Sequence, residues 1–213
     1  MKDNVFFVSG IDTNVGKSYA TGYLAKTWNE QGVRTITQKF IQTGHVGMSE
    51  DIELHRKIMG TGLLPEDESG LTMPEIFTYP CSPHLAAEID HRPIDFDKIE
   101  KATRQLSETY DAVLLEGAGG LMVPLTRDLL TIDYVAQKNY PLIFVTSGKL
   151  GSINHTLLSL EAVTRRGIRL HTVAYNLFPE EDDDIIRRDT EAYISDLLAK
   201  EYPETHFVIV PKL

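Results

Sequence analysis

Thiol chemistry is nearly absent from this chain. Cys81 is its one cysteine, so no internal disulfide can form, and a reducing cytoplasmic setting is expected. Long apolar runs are missing too. No stretch reaches the roughly 18–20 apolar residues of a membrane span, and the first residues carry no basic-then-apolar signal pattern, so no membrane partner is expected. Basic residues are few: 21 lysines and arginines face 31 acids, and the formal charge of −10 argues against a nucleic-acid partner. The seven histidines show no HxxxH spacing and CxxC pairs are lacking, so they read as surface or structural residues. Internal repeats and low-complexity tracts are also absent. What remains, 213 residues with 42% hydrophobic and 8% aromatic, suits one α/β domain, expected over residues 1–213.

Near the N-terminus the apolar run Val5-Phe6-Phe7-Val8-Ser9-Gly10 leads into Ile11-Asp12-Thr13-Asn14-Val15-Gly16-Lys17-Ser18. A strand, a glycine-bracketed turn and Gly-Lys-Ser opening a helix are the parts of a phosphate-binding loop. Backbone N–H groups curl around an anion, the helix points its positive end at it, and Lys17 adds a mobile charge. Ser18 can place its hydroxyl on the Mg2+ that accompanies a nucleoside triphosphate. The common pattern puts four residues between the glycines; here five lie between Gly10 and Gly16. The acidic composition disfavours a triphosphate in general terms, so lysines and bound metal must reverse the field locally.

Along the chain, β-rich runs at 5–10, 34–40, 112–116, 141–146, 171–176 and 206–210 alternate with helical patterns. The helices are expected at 17–30, 50–59, 97–109, 131–138, 153–166 and 183–200. Such alternation implies a P-loop NTPase-type α/β fold, a mostly parallel sheet with helices on both faces. Ligands then sit at the carboxyl ends of the strands. The stretch 60–93 fits the alternation poorly, with Pro65, Pro74, Pro80, Pro83 and Pro93. A loop that long points to function, and Leu71, Ile76, Phe77, Tyr79 and Leu85 point to order. The acidic run 180–184 reads as a solvated turn and helix start.

Two further segments carry chemistry. Leu114-Leu115-Glu116-Gly117-Ala118-Gly119-Gly120 ends an apolar strand on a carboxylate, the Walker B logic for holding magnesium. Thr37-Gln38-Lys39-Phe40-Ile41-Gln42-Thr43-Gly44 delivers Lys39 from the second strand to the side of the phosphate loop, although a lysine there alone is more often a surface residue.

These residues together resemble the dethiobiotin synthetase family over nearly the whole chain. The five-spacer loop from Gly10 to Ser18 is similar to that family's phosphate loop, and Lys39 and Thr43 match its Lys-Pro-x-x-Ser-Gly segment. Tyr79-Pro80-Cys81-Ser82-Pro83-His84-Leu85-Ala86-Ala87 resembles its Ser-Pro-His substrate loop. Glu116 to Gly120 and Leu150-Gly151-Ser152-Ile153-Asn154-His155-Thr156 are similar to two more of its motifs. Phe40 departs from the pattern by standing where the family usually has proline.

The resemblance implies ATP- and Mg2+-dependent carboxylation and ring closure of 7,8-diaminononanoate with CO2. It places Lys17 and Lys39 as catalytic charges, and Asn14, Val15, Gly16, Lys17, Ser18, Tyr19, Gly117, Ala118 and Gly119 on the nucleotide. Ser18, Asp51 and Glu116 would hold the metal, with adjacent Glu50 a rival to Asp51. Thr13, Lys39 and Thr43 would meet the substrate. Leu150, Gly151 and Tyr193 would serve the neighbouring subunit's site in a homodimer. A deviant-Walker regulatory or partitioning ATPase is the alternative; it would need a lysine early in the loop, where this chain has Ile11 and Asp12. A non-catalytic nucleotide-binding module would not need Lys39, Asp51 and Glu116 together.

The resemblance implies that Asn176, ending the fifth strand, reads the adenine edge, although a lone Asn at a strand end could equally be a cap, and only Pro211, Lys212 and Leu213 follow the sixth. One amide contact is worth about 1 kcal/mol, so GTP and CTP should support turnover within about tenfold of ATP. Measuring kcat/KM for the four nucleoside triphosphates checks this, and a preference of about a thousandfold would place base recognition in other residues.

Overall fold

Runs of apolar residues buried on both sides pair into one six-stranded parallel sheet, ordered β2-β5-β1-β6-β7-β8. A computed structural model gives this structure and describes residues 4–178 and 183–212. The strands are β1 (Val5–Gly10), β2 (Thr35–Lys39), β3 (Gln42–Thr43), β4 (Ile76–Phe77), β5 (Ala112–Gly120), β6 (Leu142–Ser147), β7 (Leu170–Asn176) and β8 (His206–Val210). The helices are α1 (Lys17–Glu30), α2 (Glu50–Met59), α3 (Pro65–Glu68), α4 (Pro83–Ile89), α5 (Phe96–Thr109), α6 (Thr131–Lys138), α7 (Ser152–Arg165) and α8 (Asp184–Glu201). Among the described residues no helix is long and apolar enough to cross a membrane.

Period-two alternation splits the core into two layers. Phe7, Ile36, Val113, Leu115, Phe144 and Val173 face one side, where α5, α6, α7 and α8 contribute Ile99, Leu106, Ile132, Val135, Leu160 and Ile194. Val8, Leu114, Ile143, Val145 and Ala174 face the other, against Ala20, Leu24 and Ala25 of α1. Helices therefore cover both faces, as the alternation implies. Most element ends lie within a residue of those expected. The exception is β5, which continues to Gly120 because Gly10 pairs with Gly120 beyond a register break.

The stretch 60–93 is ordered and contains α3, β4 and α4. Residues Gln42 and Thr43 pair in parallel with Ile76 and Phe77, which brings the exit of β2 beside this segment. A two-residue strand and a single helical turn carry no periodicity, so neither was visible in the sequence. Of the acidic run 180–184, residues 180–182 lie outside the described part. Asp183 caps α8, its Oδ1 accepting from the N–H of Ile185 at 2.8 Å and of Ile186 at 3.2 Å.

Phe40 is completely buried where β2 leaves the sheet. Its ring lies 5.5 Å from Phe7, 4.8 Å from Tyr134 and 6.5 Å from Phe96, centroid to centroid. Its N–H donates to the Glu116 carbonyl at 2.8 Å, a bond that a proline could not make. Phe40→Ala would open a cavity in this aromatic group and should lower unfolding free energy by about 3–5 kcal/mol. Urea denaturation at equilibrium checks it; a loss under about 1 kcal/mol would mean the neighbouring rings collapse into the space.

Candidate active site

The turn between β1 and α1 is built from two left-handed backbone conformations. Asn14 and Gly16 both adopt the left-handed region, at φ 62° and 84°. Glycine is required at 16 for a second reason: a Cβ there would stand 1.9 Å from Asn176 Nδ2. Gly16 caps α1 with no side-chain hydrogen bond, so the first N–H groups of the helix stay open to an anion. Lys17 folds back over the turn, its Nζ donating to the Asp12 carbonyl at 3.0 Å. Burial pushes its pKa down, more than nearby Glu116 offsets.

Strand register assembles the charged centre. Lys39, the last residue of β2, and Glu116, midway along β5, are direct partners across the two strands. Lys39 Nζ stands 2.9 Å from Glu116 Oε1 and 2.5 Å from Asp51 Oδ2. Ser18, in the first turn of α1, donates its hydroxyl to Asp51 Oδ1 at 2.6 Å, with Glu116 Oε1 2.9 Å away. Asp51 enters from the first turn of α2, whose N-cap Ser49 accepts from the Ile52 N–H at 3.3 Å. Of the two adjacent acids Asp51 faces this centre, whereas Glu50 turns outward to His45 at 3.0 Å with its side chain 70% exposed.

Lys39 and Glu116 are fully shielded, and each would be costly to bury alone. Burial alone would depress the Lys39 ammonium, but Glu116 and Asp51 outweigh it and its pKa lies above the ordinary value. Burial would likewise raise Glu116, yet Lys39 and His55 hold its carboxyl well below the usual carboxylate range. A lysine that would usually lie on the surface is here 5% exposed. His55, read in the sequence as surface or structural, is buried against Glu116, with Nε2 2.8 Å from Oε2. Only contact across the fold reveals it, since nothing in its spacing does.

A cavity of about 550 Å3 opens over these groups, and Asn14, Gly16, Lys17, Ser18, Tyr19, Lys39, Asp51, Glu116, Ala118 and Gly119 line it. Thr13 and Thr43 line it too, and both also border an adjoining cavity of about 420 Å3 with Pro80, Cys81, Ser82 and Pro83. Phe178, unremarked in the sequence, forms the wall opposite, its ring 5.2 Å from that of Tyr19. Val15 is buried beneath the loop. Gly117 leaves the cavity to pack on Phe7, whose ring a Cβ would meet at 2.8 Å.

Asn176 is not placed as expected. It is fully buried; its Nδ2 donates to the Val15 carbonyl at 3.0 Å and its Oδ1 accepts from the Phe178 N–H at 3.2 Å. Its observed work is to tie the phosphate loop to the exit of β7. Leu150, Gly151 and Tyr193 do not line either cavity. Leu150 and Gly151 begin α7, whose first turn has no side-chain cap, and Tyr193 sits half-exposed on α8.

The sequence model of a family described as an AAA domain matches residues 4–211. A protein of Pasteurella multocida strain Pm70, named ATP-dependent dethiobiotin synthetase BioD 2, is 52% identical over 97% of this chain and 96% of its own. This chain belongs to the dethiobiotin synthetase family. A relative of the same name from Haemophilus influenzae is 57% identical over 86% of this chain and 96% of its own. The solved structure of pNOB8 ParA bound to nonspecific DNA is similar at TM-score 0.56 and 12% identity, over 99% of this chain and 86% of that one. Chloroplast FtsY from Physcomitrella patens is similar at TM-score 0.52 and 16% identity over the whole chain, which spans 60% of FtsY's length. Both likenesses show a shared P-loop NTPase-like fold and no more.

The oxygens of Ser18, Asp51 and Glu116 fit a hard divalent cation in chemistry, being hard donors of which both carboxylates lie within 2.9 Å of the Ser18 hydroxyl. Lys39 and the neutral Ser18 hydroxyl both bridge the two carboxylates, and Lys39 supplies the charge between them. Lys39→Gln should therefore melt several degrees lower in EDTA, and Mg2+ should raise its Tm more than that of the parent. Equal Mg2+ shifts in both proteins would show that these carboxylates do not take the ion. Lys17→Ala should keep the fold and lower turnover by about a hundredfold or more. A change within about threefold would remove Lys17 from the phosphates.

Proposed function

We propose that this chain, as one catalytic domain over residues 1–213, is a cytoplasmic dethiobiotin synthetase that uses ATP and Mg2+. It would join 7,8-diaminononanoate and CO2 into the cyclic urea dethiobiotin, releasing ADP and phosphate. The observation that carries this reading is a single cleft in which two buried lysines and three oxygen donors face both an anion-binding turn and a second, adjoining cavity.

The chemistry asks for that arrangement. One amine of the substrate takes up CO2 and loses a proton, giving a carbamate. A carbamate oxygen attacks the γ-phosphorus and ADP leaves, forming a carbamic–phosphoric anhydride. The second amine then attacks the carbamate carbon, phosphate departs and the ring closes with loss of a proton. Two anions must approach, so the protein's task is alignment and charge neutralisation. Lys17 would follow the β- and γ-phosphates, and Lys39, released from the carboxylates, the carbamate and the transferring group. The open N–H groups of Gly16 and α1 would hold the phosphates. Ser18, Asp51 and Glu116 would hold Mg2+, which would supply positive charge to the triphosphate. Thr13 and Thr43, which border both cavities, would meet the carbamate where it faces the nucleotide.

In this reading the substrate's carboxylate would reach the uncapped start of α7 on a second copy of the chain, with Tyr193 as a further contact and the homodimer completing the site. An acidic residue tests this by like-charge repulsion. Gly151 is unsuitable because its φ of 95° would strain any side chain, whereas Leu150 is 74% exposed. Leu150→Glu should raise KM for diaminononanoate about tenfold and leave KM for ATP within about twofold. Light scattering that finds a fully active monomer would remove the shared site. The reaction itself is tested by incubating the protein with diaminononanoate, bicarbonate and MgATP. ADP and the cyclic urea should appear in equal amounts; ADP without the urea would overturn the assignment.

A further inference from the structure

His55 has no part in the chemistry above, yet it is fully buried against Glu116. It lies on α2 four residues beyond Asp51, so both side chains share one helical face. Its ring divides the Glu116 carboxylate. Oε1 is 2.9 Å from both Lys39 Nζ and Ser18 Oγ, while Oε2 is 2.8 Å from His55 Nε2. The other ring nitrogen, Nδ1, is 3.0 Å from Thr37 Oγ1.

Behind the ring a second buried group sets the direction of these bonds. Arg56 Nη1 donates to Thr37 Oγ1 at 2.8 Å, and Arg56 forks onto Asp67 with two bonds of 2.8 Å. Asp67 also accepts from the Thr72 hydroxyl at 2.7 Å, and the Thr72 carbonyl accepts from the Lys39 N–H at 2.7 Å. An arginine can only donate, so Thr37 Oγ1 accepts from it and can give its own proton to Nδ1. A neutral ring that accepts at Nδ1 carries its proton on Nε2, aimed at Glu116.

We propose that His55 is a positioning residue: by occupying Oε2 it turns Oε1 of Glu116 toward Ser18 and the divalent cation that arrives with the nucleotide. This rests on the metal assignment under the proposed function. Without the ring, a fully buried carboxylate would lose one of its partners and the restraint on its rotation. The stretch 64–72 thereby gains a task, since it anchors both Arg56 and the backbone of Lys39.

Calorimetric titration of ATP at varied Mg2+ tests the inference without any turnover. Gln carries an amide nitrogen where Nε2 lies, and Asn cannot reach it. His55→Asn should raise the Mg2+ concentration for half-maximal tight ATP binding by about tenfold or more, while metal-free ATP affinity stays within about twofold. His55→Gln should stay within about threefold of the parent on both measures. Thr37→Val, which keeps the ring but removes its partner at Nδ1, should shift the Mg2+ requirement in the same direction by less. If His55→Asn is too unstable to purify, the Thr37→Val and His55→Gln pair decides. Lower Tm with an unchanged Mg2+ requirement in these variants would mean that His55 only fills space, and would overturn the inference. A parent whose ATP binding ignores Mg2+ would overturn the metal assignment and the inference with it.

Discussion

The ion pair between Lys39 and Glu116 constrains everything around it. Two opposite charges fixed side by side on adjacent strands, both out of water, are tolerable only if their remaining hydrogen-bonding capacity is filled. Asp51 and His55 from α2, Ser18 from α1 and the Gly117 carbonyl from β5 fill it. The start of α1, the first half of α2 and the middle of β5 must therefore converge, and the sheet order that puts β5 between β2 and β1 follows the same demand. The centre is complete in charge before any ligand arrives, so a ligand enters by exchange with groups already in place.

Much of the fold was legible because the signals were long. The continuous apolar runs of β5 and β6 and the amphipathic pattern of α5 span enough residues for periodicity to decide between helix and strand. The phosphate loop was legible because Gly16, Lys17 and Ser18 are contiguous, and Lys39 and Glu116 because a parallel sheet delivers strand ends to one edge. What stayed hidden depends on contacts across the chain. His55 looked like any helical histidine until β5 brought Glu116 against it, 61 residues away in sequence. Asn176 was expected at the adenine edge, and the fold places its amide nitrogen on the Val15 carbonyl. Phe178 carries no local pattern and acquires meaning only from Tyr19 opposite.

The segment between α2 and α5 illustrates the same limit from the other side. Its prolines read as loop, and its apolar residues as order, but neither says what it supports. The structure answers through two backbone joints and one buried fork: β3 with β4, Thr72 with Lys39, and Asp67 with Arg56. A piece of chain without much regular structure of its own thus forms the floor of the charged centre.

Phe40 has a consequence for how this chain can diverge. Its ring fills a space shared with Phe7, Tyr134 and Phe96, and its N–H is bonded across the sheet. The proline more usual in the family satisfies neither requirement, so the two choices are separate packing solutions. Passing from one to the other through single substitutions would cross an unstable intermediate, and the neighbouring aromatic positions would have to change in concert. Position 40 is in that sense entrenched: its permitted residues depend on its surroundings, and Phe40, Phe7, Tyr134 and Phe96 should vary together or not at all as lineages separate.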